Sequence, residues 1–135
     1  MSAFKTLCLE LETSIQTSYE AGVSMEEAEK LASKFLYAQM QVSNELRKAD
    51  LDSRMQKSGL KAIRSTIYLD EVSKADKKPS DVLLEAIVNI NEVVQGQQNA
   101  LDLSEVTRDE LNRYYSIFQN AHIHFRSIAK GSFGG

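Results

Sequence analysis

The sequence contains few of the residues that interrupt or cross-link a polypeptide. Its 135 residues include one proline, one cysteine, no tryptophan and six glycines. A single cysteine, Cys8, excludes an intrachain disulfide and fits a reducing compartment. Because Cys8 stands among three leucines, we expect a small core residue rather than a nucleophile. The single proline leaves little to break a helix.

Long apolar runs and a strong charge of one sign are also absent. No segment approaches the roughly 20 apolar residues that a membrane helix needs, and no signal-peptide pattern opens the chain. We therefore expect a soluble, cytoplasmic protein without membrane contact. A net charge of -3 gives no general attraction to nucleic acid, so any attraction to phosphate must be local.

Helical spacing dominates what is present, since apolar residues recur at steps of three and four and do not alternate as in strands. The fold class predicted is all-α, as one helical domain over 1–135 with 131–135 as a flexible tail. A first helix is expected over about 2–20, ending near Gly22. A second, over 24–75, starts at a capping box formed by Ser24 and Glu27. The pattern leaves open whether this helix is continuous across Gly59.

Two further helices complete the predicted bundle. Ser80 is the expected cap of a third helix, whose apolar face extends to Val94. The segment 96–99 should loosen its end, and 107–110 resembles a second capping box that opens a fourth helix, ending at Gly131. Polar residues beside the third apolar face could fix helix register or merely be exposed; they are Asn89, Asn91 and Gln95.

One long helix in a bundle of three or four implies a homo-oligomer. A helix that extends beyond its neighbours leaves apolar surface that a second copy would cover. Aromatic residues near the C-terminus are by default core residues, but they could anchor a subunit contact instead. The residues predicted for that interface are Tyr115, Phe118, His122 and Phe125.

The middle of the second helix carries a stripe of cations beside its apolar face. The stripe consists of Arg47, Arg54, Lys57, Lys61 and Arg64. It is either a solvated surface or a track for phosphates, in which each cation releases counterions from a nucleic acid. No aromatic residue lies within the stripe, so backbone contact is favoured over base stacking.

No pattern in the sequence indicates catalysis or metal binding. His122 and His124 are two residues apart and diverge by about 200° on a helix, so they cannot share one ion. Neither a serine, histidine and acid arrangement nor a glycine-rich phosphate loop is recognisable. We therefore expect a non-enzymatic protein without a cofactor or metal.

The segment Leu60-Lys61-Ala62-Ile63-Arg64, with 44–47 before it and Tyr68 after it, resembles a motif of the UvsY-type recombination mediators of tailed bacteriophages. The closing segment 125–131 is similar to the amphipathic C-terminal helix of that family. The resemblance covers about half of the chain and does not include 74–110. In this sequence Ile63 is inserted, so Lys61 and Arg64 are three residues apart rather than two.

That resemblance implies a small all-helical protein that forms rings and binds single-stranded DNA. It also implies two protein partners, a RecA-like recombinase and the single-strand binding protein that coats the DNA. Lys61 and Arg64 would contact DNA, and the C-terminal helix would carry assembly. The competing hypothesis is a structural or adaptor protein, such as a virion assembly factor or an inhibitor of a host protein, that binds no nucleic acid. A catalytic bundle would require clustered buried carboxylates or histidines.

Overall fold

The computed structural model describes residues 2–131, and four helices account for nearly all of them. The helices are α1 (Ser2–Ala21), α2 (Met25–Lys74), α3 (Asp81–Ile90) and α4 (Glu92–Ala129). Within residues 2–131 there is no strand, so the all-α prediction is confirmed. No helix in this range has an apolar stretch long enough to cross a bilayer. Of the predicted tail, 132–135 lie outside the described residues.

The junction between α1 and α2 follows from local sequence signals. Gly22 has a φ of 74°, in the left-handed region that favours glycine, and its N–H donates to the Ser18 carbonyl at 3.0 Å. The Ser24 hydroxyl accepts from the Glu27 N–H at 3.2 Å at the start of α2. The predicted end of α1 and the predicted cap of α2 are therefore both confirmed.

The second helix is continuous through Gly59, which settles the question that the sequence left open. A Cβ atom at Gly59 would lie 3.3 Å from Nε2 of Gln97. That same amide nitrogen donates to the Gln56 backbone oxygen at 3.1 Å and to Gln56 Oε1 at 2.7 Å. The glycine therefore leaves room for a side chain of α4 to reach the backbone of α2.

The predicted start of the fourth helix at Thr107 is wrong. The helix break lies at Asn91, which has extended backbone angles and whose Oδ1 accepts from the N–H groups of Val93 and Val94 at 2.9 and 3.2 Å. Asn91 is thus the N-cap of α4. From there the helix continues through 96–99 and 107–110 without interruption.

The chain divides into two compact units. Unit 1 comprises residues 1–46 and 110–135, and unit 2 comprises residues 47–109. Both α2 and α4 contribute residues to both units, so the division does not fall at a linker. The single-domain organisation stays a prediction.

The core of unit 1 is built from aromatic side chains. Phe35 packs with ring centroids 5.9 Å from Phe118 and 5.7 Å from Phe125, and Tyr114 lies 5.8 Å from Phe118. Phe118 and Phe125 are 0% and 1% exposed within the single chain. Side chains without exposed surface cannot offer a contact to a second copy, so their assignment to a subunit interface is corrected to the core.

The other two predicted interface residues are half-buried in unit 1. Nδ1 of His122 lies 2.8 Å from the backbone oxygen of Ala32, so the imidazole is held within its own chain. His124, two residues along α4, stacks on Tyr19 with ring centroids 4.4 Å apart. The part of Tyr115 in assembly stays a prediction.

Cys8 also belongs to the unit 1 core, with 2% of its surface exposed. Burial, together with the nearby carboxylates of Glu110 and Glu12, raises the pKa of its thiol to about 11. The thiolate is the reactive form, and such a group stays protonated at neutral pH. The prediction that Cys8 is a core residue is confirmed.

Candidate nucleic-acid interface

The orientation of the cationic stripe follows from how α2 packs in unit 2. Leu60 joins a core cluster with Val88, Val94 and Leu101, and Ile63 and Ile67 pack against this cluster from the same side of α2. Residues of α2 that point between this buried side and the solvent side must then lie at the edge of the buried face. Lys57, Lys61 and Arg64 occupy such positions. Their alkyl stems can cover apolar surface while the charged groups remain in water.

Four of the five predicted cations line one groove, which we call the cationic groove. Its volume is about 630 Å³, and its lining consists of Arg54, Lys57, Ser58, Leu60, Lys61, Arg64 and Ser65. Among these described lining residues none is acidic. Arg47 is exposed on α2 but does not line the groove.

The cations in the groove differ in how they are held. Nη2 of Arg54 lies 3.3 Å from Oδ2 of Asp50, one helical turn earlier, yet the arginine side chain is 79% exposed. Such an exposed pair contributes little and leaves the guanidinium accessible. Lys57 and Lys61 are exposed and form no ion pair within residues 2–131.

Arg64 is the most constrained member of the groove. It is half-buried, and its Nη2 donates a hydrogen bond of 2.9 Å to Oδ1 of Asn89 on α3. A neutral amide fixes the guanidinium without neutralising its charge, so the planar fork remains available to a phosphate. Sequence reasoning missed Asn89 as this partner, because helical spacing does not tell which residue of α2 faces it.

The charge arrangement favours an anionic ligand. Like charges three or four residues apart on a helix repel by about 0.2–0.5 kcal/mol per pair, and Lys57, Lys61 and Arg64 have this spacing. A polyanion in the groove would relieve that repulsion. A row of cations in a groove with low-dielectric walls also creates a concentrated positive potential. The net charge of -3 would not attract an anion by itself.

A second cavity continues the cationic groove toward Tyr68. It has a volume of about 370 Å³ and shares Arg64 and Ser65 with the groove. Tyr68 and Leu69 line it, but so does Glu85. The Tyr68 hydroxyl donates to Oδ1 of Asp81 at 3.2 Å, so this ring is already fixed within unit 2. Because the Glu85 carboxylate repels anions from the second cavity, anion binding is expected in the cationic groove.

No candidate metal site competes with the cationic groove in the part of the chain that the structure describes. Among residues 2–131 no group of three histidine, cysteine or acidic side chains is arranged to hold a metal ion. No protein-family model, curated protein or solved structure matches the chain. The candidate interface therefore rests on the geometry of unit 2.

Proposed function

We propose that this protein is a non-enzymatic, oligomeric accessory protein that binds single-stranded DNA by its sugar-phosphate backbone. The observation that carries the proposal is the convergence of Arg54, Lys57, Lys61 and Arg64 on one groove without a carboxylate in its lining. Cations that neutralise phosphates release counterions, so such binding is independent of sequence and sensitive to salt. On the family resemblance, the DNA-bound form would help to load a recombinase onto strands coated by single-strand binding protein.

Assembly is supported by apolar residues that unit 2 leaves uncovered. Leu51, Met55 and Leu69 are 59%, 65% and 65% exposed, and they lie within about 40° of one another on the side of α2 opposite Leu60. Large apolar side chains aligned on the exposed side of a helix form a stripe that a partner helix can cover. Several copies joined there would present several cationic grooves to one strand, which raises the overall affinity through effective concentration.

The same exposed surface supports the second candidate function, a structural or adaptor protein. In that case the apolar residues of α2 would contact a helix of another protein, and the cations would serve only for solubility. A virion assembly factor and an inhibitor of a host protein are the two versions of this alternative. It differs from the first proposal in predicting no nucleic-acid binding at any salt concentration.

Size-exclusion chromatography with light scattering detection, run with and without a labelled single-stranded oligonucleotide, separates the two functions. We expect a mass above that of one 15.1 kDa chain and co-elution of the label with the oligomer at about 50 mM salt. An oligomer from which the label elutes separately under these conditions would reject DNA binding and leave the adaptor function. A monomer that retains the label would reject the assembly part alone.

A further inference from the structure

Arg64 also lines a third cavity, which differs from the cationic groove in its chemistry. This cavity has a volume of about 270 Å³ and is lined by Arg64, Asn89, Val94, Gln95, Gln98 and Asn99. Four of these six residues carry a primary amide, one is apolar and one is the shared guanidinium. We call it the amide cavity. All of its lining residues belong to unit 2.

The cap at Asn91 explains why these side chains meet. It starts α4 so that Val94 is buried in the core of unit 2. Gln98 and Asn99 lie three and four residues after Gln95, so the three side chains share one face of the helix. The amides of the cavity therefore come from one helical stripe together with Asn89 at the end of α3.

Each amide in the cavity has an open hydrogen-bonding atom. Asn89 uses Oδ1 for Arg64 at 2.9 Å and keeps its NH₂ group. Gln95 donates to the Asn89 backbone oxygen at 3.4 Å and Gln98 donates to Asp102 Oδ1 at 2.9 Å, so both keep an oxygen as an acceptor. Asn99 makes no side-chain hydrogen bond within residues 2–131. The cavity thus presents both donors and acceptors. The side chains of Asn89, Gln95 and Gln98 are each held in place by a hydrogen bond within unit 2.

Such a set of groups matches the edge of a nucleobase. Asparagine and glutamine form paired hydrogen bonds with base edges because one amide supplies a donor and an acceptor side by side. The Watson–Crick edge is open only where a base is unpaired. The cavity volume of about 270 Å³ lies just below the roughly 300–1,000 Å³ of small-molecule sites.

We propose that the amide cavity receives one unpaired base of the strand whose phosphates lie in the cationic groove. Arg64 borders both spaces, so the phosphate next to that base would be the one that it contacts. This inference rests on the proposed function and adds the reason for a single-strand preference, which phosphate contacts alone do not supply. Base contact here uses hydrogen bonds to amides and does not need an aromatic residue in the cationic stripe.

The test compares a mixed-base single strand with an abasic strand of the same length, using wild-type protein and the Gln98→Ala/Asn99→Ala variant. Both residues are exposed on a helix, and alanine favours helix formation, so folding should be retained. Wild type should bind the base-bearing strand about 10-fold more tightly, as lost hydrogen bonds and buried contact imply. The variant should bind both strands within about twofold, at the affinity of the wild type for the abasic strand.

A matched control is present on the same helix in unit 1. Gln119 and Asn120 form the same consecutive residue pair and are exposed, so Gln119→Ala/Asn120→Ala should keep the full preference for bases. Equal binding of both strands by wild type would overturn the base site but leave phosphate binding intact. A preference that survives in Gln98→Ala/Asn99→Ala would place base contact elsewhere and overturn the assignment. Binding of neither strand would instead reject the proposed function.

Discussion

Reversal of two charges in the cationic groove is expected to remove most of the affinity for single-stranded DNA. The Lys57→Glu/Lys61→Glu variant changes the groove by four charges, at about 1 kcal/mol each before screening by salt, so affinity should fall about 100-fold or more. The loss should be the same for every base sequence, because phosphate contacts carry no sequence information. Both lysines are exposed and lack ion pairs within residues 2–131, so the fold should be unaffected. Fluorescence anisotropy with a labelled oligonucleotide measures the effect.

The same helix provides a control with identical chemistry. Lys30 and Lys34 are four residues apart, like Lys57 and Lys61, and both are exposed on the part of α2 that belongs to unit 1. The Lys30→Glu/Lys34→Glu variant should bind within about threefold of wild type, because it changes the net charge without touching the groove. Equal weakening by the two double variants would show that net charge, rather than the groove, controls binding.

The largest expected effect on stability is that of Phe118→Ala. This ring has no exposed surface and packs between Phe35 and Tyr114. Truncation of a buried phenylalanine costs about 3–5 kcal/mol, which is a large share of the roughly 5–15 kcal/mol that holds a domain folded. We expect the variant to be mostly unfolded at ambient temperature or to unfold at a much lower urea concentration. Circular dichroism during urea titration gives the free energy of unfolding.

An exposed aromatic residue serves as the comparison. Tyr37 on α2 is 63% exposed, so Tyr37→Ala should change the free energy of unfolding by no more than about 0.5 kcal/mol. The dependence on protein concentration separates a core role for Phe118 from an interface role. Loss of a subunit contact would produce an effect that shrinks as the protein is concentrated. An effect of Phe118→Ala below about 1 kcal/mol would contradict its placement in the core.

The helix starts show what local sequence can and cannot predict. Ser24 and Ser80 are identifiable from the sequence because each follows a residue that interrupts a helix, Gly22 or Pro79. In the structure each serine accepts a hydrogen bond from the backbone N–H three residues on. Thr107 and Glu110 have the same spacing but lie inside α4. A capping pattern in the interior of a helix costs little, so the pattern alone does not prove a start. The real cap, Asn91, stands out in the sequence only as a polar residue beside an apolar face.

The candidate site also has one part that the sequence predicts and another that it does not. The convergence of the cations could be predicted because the period of one helix determines which residues share a side. The bond between Asn89 and Arg64 and the amide cavity depend on how α3 and α4 pack against α2, and no spacing within one helix specifies that. Phe118 fits a helical stripe equally well as a core or as an interface residue. Only its contact with Phe35, which is distant in sequence, decides between the two.

The salt dependence of single-stranded DNA binding tests the central claim most directly. Four phosphate contacts at about −0.7 each predict that the logarithm of the affinity falls against the logarithm of salt concentration with a slope of about −2.8 per groove. Between about 50 and 200 mM salt the affinity should therefore drop about 50-fold for a strand held by one groove, and more steeply where several grooves hold it. An affinity that stays constant over this range would contradict binding through the cationic groove.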